Sequence, residues 1–385
     1  MQPPGDVGPI GVFESESRTS GSETSMQKAD GMNYAPQGQA RAVCGPGEFR
    51  FGVVGLDHGH IYGMCNGLIE AGGELVSVWD RDPVKVEAFE TRYPGVRRAR
   101  CENEVVEDPS LRLVASACVP DERQPVGMWV IDSGKDYFCD KPPLTTFRQL
   151  SEARRKVAET GAIYAVYYSE RLHVEAAVHA GQLIRDGAIG RVVQVIGLGP
   201  HRLNPGTRPD WFWERQRFGG ILVDIGSHQI EQFLHYADAR DARVLHSKVA
   251  NYHNPDHPEF EDFGDASFAA DNGATFYFRV DWFTPDGLCA WGDGRTIILG
   301  TEGTIELRKY LDLARDKVGD HVYLADKRGE HHLPVHGKVG FPYFGQLILD
   351  CLNRTQTAMP QDHTFLAIEL ALRAQAQAAR FSFEG

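Results

Sequence analysis

From Phe51 onward the hydrophobic positions alternate between two rhythms. Short β-rich apolar runs, FRFGVVG (49–55), ELVSVWD (74–80), LRLVASACVP (111–120) and DYFC (136–139), predict buried strands. Between them lie IYGMCNGLIEAG (61–72), DPVKVEAFETRYP (82–94) and QPVGMWVIDSG (124–134), whose patterning predicts helices. The second has proline just inside its start and the third closes on glycine, as helix ends favour. Strand and helix alternating at this spacing predict an α/β fold with a doubly wound parallel sheet, which binds ligands at the carboxyl ends of its strands.

Further along, EAAVHAGQLIRDGAIGRVVQV (175–195) reads as a helix with glycine stops running into a strand. Strand-like runs follow at Val244–Asn251, Ala266–Ala270 and Ala274–Trp282, the last two joined by DNG, a hairpin signal. GTEGTIEL, from Gly300, reads as a tight turn between two strands, and the Ala- and Leu-rich segment Met359–Phe381 predicts a closing helix over 361–381. A chain of 385 residues exceeds one ordinary core. The pattern therefore divides it into a disordered tail (1–48), a doubly wound first domain (49–168) and a second α/β domain (169–385). The tail mixes Gly, Pro, Ser and Gln without apolar periodicity, lacks an export signal, and offers Met26 and Met32 as alternative starts.

Composition narrows the function classes. A net charge of −13 without a basic stripe argues against a nucleic-acid partner. No apolar run reaches the roughly 20 residues of a membrane span. The seven cysteines are odd in number, scattered and without a C-x-x-C pair, which fits a reducing cytoplasm.

The stretch FGVVGLDHGHIYG (51–63) admits two readings. One is a strand, a glycine turn and a helix holding a dinucleotide's pyrophosphate; the other is a metal cluster of Asp57, His58 and His60, as in a hydrolase. The glycine fingerprint is incomplete, because Asp57 and His60 stand where the second and third glycines belong. Asp80 favours the dinucleotide: it ends the second strand 25 positions after Gly55, where a carboxylate bonds ribose hydroxyls, with Asp82 as the neighbouring helix cap.

Three more stretches complete a pattern: CDKPPL with Lys141, FGGILVDIGSHQIEQFLHYA with Asp224 and His228, and the GTEG turn. With YYSERL they resemble the Gfo/Idh/MocA oxidoreductases, the group of glucose–fructose oxidoreductase and inositol dehydrogenase, from about Glu48 to the C-terminus. The resemblance implies an N-terminal Rossmann domain and a C-terminal α/β domain with an open, mainly antiparallel sheet. It implies a catalytic set of Lys141, Asp224 and His228, with a nicotinamide cofactor held by Gly55, Asp57, His58, Gly59, His60, Asp80, Arg81, Pro120, Asp140 and Lys141; the Asp80 carboxylate makes NAD rather than NADP the expected form. Tyr168 and Arg171 match a Y-x-x-R stretch on the substrate side. Asp140 replaces the family's Glu, Phe218 its first helix glycine, and Asp57 sits in the phosphate turn.

On a helical wheel Asp224, His228, Glu231 and His235 form one stripe opposite Ile230, Phe233, Leu234 and Ala237, which predicts a stripe facing a cleft or water. Asp224 beside His228 would raise the imidazole's basicity and fix its tautomer. Trp211, Trp213, Arg215 and Arg217 are candidates for a sugar site, Trp213 and Arg217 foremost. The expected activity is hydride transfer between NAD and a secondary alcohol of a sugar, cyclitol or glycoside, in a homodimer or homotetramer. The alternatives are an NAD-retaining glycosidase working by transient oxidation and elimination, a non-catalytic NAD or sugar sensor, and the metal hydrolase.

Overall fold

The computed structural model describes residues 31–36, 38, 41–315 and 317–382. The first sheet has six parallel strands: β1 (Arg50–Val54), β2 (Glu74–Trp79), β3 (Arg97–Arg98), β4 (Leu113–Ser116), β5 (Asp136–Asp140) and β6 (Tyr164–Tyr167). Their order is β3-β2-β1-β4-β5-β6, the doubly wound dinucleotide-binding arrangement, with its switch point between β1 and β4. Local chemistry sets the element ends. Asp82 caps the helix Pro83–Arg92 by accepting from the Val84 N–H, and Thr146 with Gln149 forms a capping box before the helix Phe147–Thr160.

The second sheet has nine strands: β7 (Val192–Pro200), β8 (Ala242–Asn251), β9 (Phe263–Ala270), β10 (Thr275–Asp281), β11 (Arg295–Gly300), β12 (Gly303–Arg308), β13 (His321–Asp326), β14 (Gly329–Pro334) and β15 (Ala379–Ser382). Its order is β14-β13-β12-β11-β7-β10-β9-β8-β15, antiparallel except where β7 meets β10 and β8 meets β15. The DNG hairpin joins β9 to β10 and the GTEG turn joins β11 to β12. Helices Gly226–Ala237 and Gln361–Gln377 cover one face; Tyr277, Ile297 and Leu299 stand exposed at alternating positions on the sheet.

Two expectations are corrected. The closing helix stops at Gln377 rather than 381, because Ala379–Ser382 pairs with the free edge of β8; edge pairing overrides local helix preference. The segment before Glu48 is in part packed: Gly31–Asn33 forms a 3-10 turn, and the Val43 N–H donates to the Ala71 carbonyl at 2.9 Å. Residues 1–30, 37, 39 and 40 of the expected tail lie outside the described residues.

Candidate active site

β1 runs into Gly55 at φ +86°, where an added Cβ would meet the Cys118 Cβ at 2.6 Å, so only glycine can make this turn. The helix His60–Glu70 follows; its N-cap, Gly59, has no side chain, and the first helical N–H, of His60, donates to His58 Nδ1 at 3.2 Å. A helix start aimed from the switch point is an anion site. Asp57 is compensated there, but not by its histidine neighbours: its Oδ1 accepts from Lys85 Nζ at 2.5 Å. Asp80 ends β2 with Oδ2 accepting from the Leu56 N–H (2.6 Å) and Oδ1 from the Asp82 N–H (2.7 Å). Burial raises its carboxyl above the ordinary range while those two bonds oppose the rise. A carboxylate has about four acceptor sites, so two remain for a ribose diol. Arg81 is turned aside into an ion pair with Glu122. The glycine turn, helix start and Asp80 together fit a dinucleotide.

His58 and His60 converge instead on Asp140 at the end of β5. His60 Nδ1 lies 2.8 Å from Oδ1, whereas His58 Nδ1 accepts from the His60 N–H at 3.2 Å and stands 3.4 Å from Oδ2 without a hydrogen bond to it. The fully buried Arg123 takes the same carboxylate at 3.0 Å, and its Nε donates to the Cys118 carbonyl at 2.8 Å. Burial would raise the Asp140 carboxyl, but His60, Arg123 and His58 overrule it and hold it well below the usual range. Burial holds the His58 imidazole well below its ordinary value. The two histidines and Asp140 are close enough to share a cation. Any cation there would sit beside the Arg123 guanidinium, however, and Asp57, the third expected ligand, is with Lys85.

Lys141 follows Asp140, and its Nζ donates to Asp224 Oδ1 at 2.7 Å, both side chains largely buried. This corrects the expected Asp224–His228 pair. Asp224 ends its own short helix, Ile221–Asp224, and its carboxylate goes to lysine, while His228 Nδ1 is buried with no partner. His228 is 1% exposed, and its ring stands 6.4 Å from that of His60. Burial drives its pKa well below the ordinary value; Glu170 opposes this, and Lys141, His60 and His201 reinforce it. Lys141, Asp224, His58, His60, His201 and Trp211 line a chamber of about 20 Å³; His228 does not line it but stands directly behind the His60 and Tyr168 rings. His201, at the end of β7, escaped the sequence reading because nothing around it forms a motif. Its Nδ1 lies 3.1 Å from the Gly199 carbonyl, which puts the proton on Nδ1 and leaves Nε2 as an acceptor; burial lowers its pKa to about 4.

Other expected site residues lie elsewhere. Glu231 is fully buried rather than solvated, and it takes Arg171 through Nε (2.8 Å) and NH2 and His363 Nε2 at 3.0 Å. His235, in the same stripe, is partly buried, and desolvation holds its imidazole well below its ordinary value. Arg171 thus serves the helix rather than the chamber; Tyr168 is fully buried, its hydroxyl donating to the Thr364 carbonyl at 3.4 Å while its ring stands 6.3 Å from that of His228. Trp213 stacks on His257 with centroids 3.8 Å apart, and Arg217 pairs with Asp121 and Glu122. Neither lines the chamber; Trp211, two positions earlier, does, because the turn Asp210–Trp213 points the two rings apart.

Residues 43–168 match a family profile described as an oxidoreductase family with an NAD-binding Rossmann fold, and residues 177–306 match the GFO/IDH/MocA C-terminal domain. The chain is 27% identical over 267 residues to scyllo-inositol 2-dehydrogenase (NAD(+)) of Bacillus subtilis, covering 67% of this chain and 73% of that one. A crystal structure from Erwinia carotovora atroseptica, described as an oxidoreductase, is 50% identical with TM-score 0.84, covering 87% of this chain and 100% of its own. The aldose–aldose oxidoreductase of Caulobacter crescentus, solved with glycerol, shares the fold at 17% identity and TM-score 0.69, covering 86% and 98%. The chain belongs to the GFO/IDH/MocA oxidoreductase family and is an NAD-binding enzyme.

Proposed function

We propose that the enzyme oxidises a secondary alcohol of a sugar, cyclitol or glycoside to the ketone, with Lys141, Asp224 and His228 as its catalytic set. The observation that carries this reading is the buried Lys141–Asp224 pair, at 2.7 Å, at the carboxyl end of β5 beside the phosphate turn. NAD, when bound, supplies the acceptor for the hydride that leaves the carbinol carbon. The Lys141 ammonium, oriented by Asp224, holds the substrate oxygen and stabilises its developing negative charge. The imidazole of His228, kept neutral by burial, receives the hydroxyl proton. Hydride and proton together account for the two hydrogens lost, and the C–O bond becomes the carbonyl. His201 Nε2 is suited to accept from a second substrate hydroxyl. Relatives named as inositol and aldose enzymes support the substrate class. The free cysteines support a cytoplasmic location, and the exposed apolar positions of the second sheet support a homodimer or homotetramer.

The test is NADH formation by the purified protein against a panel of cyclitols, aldoses and glycosides. At least one should be oxidised, with His228→Ala slowed by about 100-fold or more. His228 is the neutral base above its pKa, which burial has moved down. The acid limb of kcat for oxidation should therefore lie below pH 6.5, the ordinary histidine value, and the rate should be level through neutrality. An acid limb above that value, or one unchanged in His228→Ala, would place the base elsewhere.

Cofactor choice gives a second expectation. A 2′-phosphate would meet the Asp80 carboxylate, and two unit charges about 4 Å apart at an effective dielectric near 20 repel by about 4 kcal/mol. Arg81, exposed and paired with Glu122, would have to leave that partner to relieve this. NADP should bind at least ~100-fold more weakly than NAD, and Asp80→Ala should narrow the gap. Equal affinities, unchanged by the substitution, would remove Asp80 from the cofactor site.

A further inference from the structure

The segment Gly31–Pro36 crosses between the two sheets' domains as a strap that joins no strand. On the first domain, Asn66 Nδ2 reaches the Ala35 and Pro36 carbonyls at 3.5 Å, and the Gly38 N–H donates to both Glu70 oxygens at 3.1 Å. On the second, the Tyr34 hydroxyl donates to the His173 carbonyl at 2.9 Å. The Tyr34 ring sits 5.5 Å from Tyr310 and 5.8 Å from Trp291, which themselves lie 4.2 Å apart. Gly31 and Met32 line the reaction chamber with Lys141 and Asp224. A Cβ on Gly31 would come to 3.0 Å from the His201 ring, so the strap is closely fitted there.

The strap separates two spaces of very different size. Inside, the chamber is about 20 Å³; outside, a cavity of about 540 Å³ is lined by Tyr34, Trp291, Tyr310, Lys309 and Lys338. Ligand sites are typically about 300–1,000 Å³, so the outer cavity is of ligand size and the inner one is not. Trp291 is 8% exposed, and both its Nε1 and the Tyr310 hydroxyl are buried polar atoms without a hydrogen-bond partner. Two unmet donors on adjoining aromatic rings form a cradle suited to a sugar, whose C–H face stacks on the rings and whose hydroxyls accept. Tyr34 occupies that cradle but satisfies neither donor.

We propose that Tyr34 is a specificity-determining residue that limits the substrate to a single ring by filling, from within the same chain, the cradle a second sugar unit would take. A one-ring cyclitol or monosaccharide enters by displacing Gly31 and Met32 toward the outer cavity while Tyr34 stays in place. A two-ring glycoside needs the space of Tyr34 itself. The proposal rests on the sugar-oxidising reading above.

The test compares kcat/KM for one-ring and two-ring substrates in the full-length chain and in Tyr34→Ala, Tyr34→Leu and Tyr34→Phe. The two-ring to one-ring ratio should rise about tenfold or more in Tyr34→Ala and less in Tyr34→Leu, both of which vacate ring volume. Tyr34→Phe should keep the native ratio, since the ring remains and only the bond to His173 is lost. A ratio within about twofold of native in Tyr34→Ala, or an equal change in Tyr34→Phe, would overturn the proposal. Direct binding of a disaccharide, read by tryptophan fluorescence, separates this failure from that of the parent reading. If no sugar is oxidised by any form, the sugar-oxidising reading fails. Disaccharide binding to Tyr34→Ala but not to the native chain then still supports the cradle, and binding to neither overturns it.

Discussion

Lys141→Met should lower turnover with saturating NAD and sugar by about 100-fold or more, an effect as large as that expected of His228→Ala. The change removes the ammonium that holds the substrate oxygen and leaves the Asp224 carboxylate, 13% exposed, without its 2.7 Å partner. Methionine has a similar length and no charge, so the loss is read as electrostatic rather than as a cavity. NADH affinity, measured by fluorescence, should stay within a few-fold, because the phosphate turn and Asp80 lie on other strands. Lys141→Arg restores charge but not the compact ammonium, and should recover only part of the rate. Near-native turnover in Lys141→Met would move the chemistry to another part of the chamber, with His201 and the His58–His60–Asp140 cluster the next places to look.

The second large effect is on stability. Arg171→Ala strands the fully buried Glu231 carboxylate, which burial disfavours and which Arg171 and His363 together hold ionised well below its usual range. Breaking a buried pair from one side costs about 3–5 kcal/mol, so the melting temperature should fall by roughly 10 °C. Arg171→Met with Glu231→Leu should recover much of the loss, since neither charge is then left unpaired. The fraction that stays folded should keep a near-native KM, because Arg171 is spent on the helix Gly226–Ala237. A raised KM with an unchanged melting temperature would return Arg171 to the substrate side, where its place in YYSERL first put it.

The proposed site is partly legible in the sequence, because several of its residues lie in short stretches with their own local logic: a strand end before Lys141, a glycine turn at Gly55, an acidic strand end at Asp80. The relations between those stretches are not. Asp224 and His228 are four apart and look like a pair, yet Asp224 is claimed by Lys141 from 83 positions away. Glu231 looks solvated on a wheel and is fully buried, because a wheel shows which residues share a face and not what covers that face. Trp213 and Arg217 share their stretch with Trp211, and only the turn at Asp210–Trp213 decides which ring meets the chamber. His201 and Tyr34 have no motif at all; they matter through what packs beside them.

By itself the sequence determined the alternation of strands and helices, the parallel first sheet, the hairpins of the second and the carboxyl-end location of the site. These follow from hydrophobic period, turn residues and caps, which act over a few positions along the chain. Tertiary structure alone decided who pairs with whom: Asp57 with Lys85, His60 and Arg123 with Asp140, Arg171 with Glu231. It alone turned residues 379–382 from helix into an edge strand and laid Gly31–Pro36 across the chamber. A charge buried away from water must find its opposite wherever the fold brings one within about 3 Å, and that partner's distance along the chain leaves no mark on the local pattern.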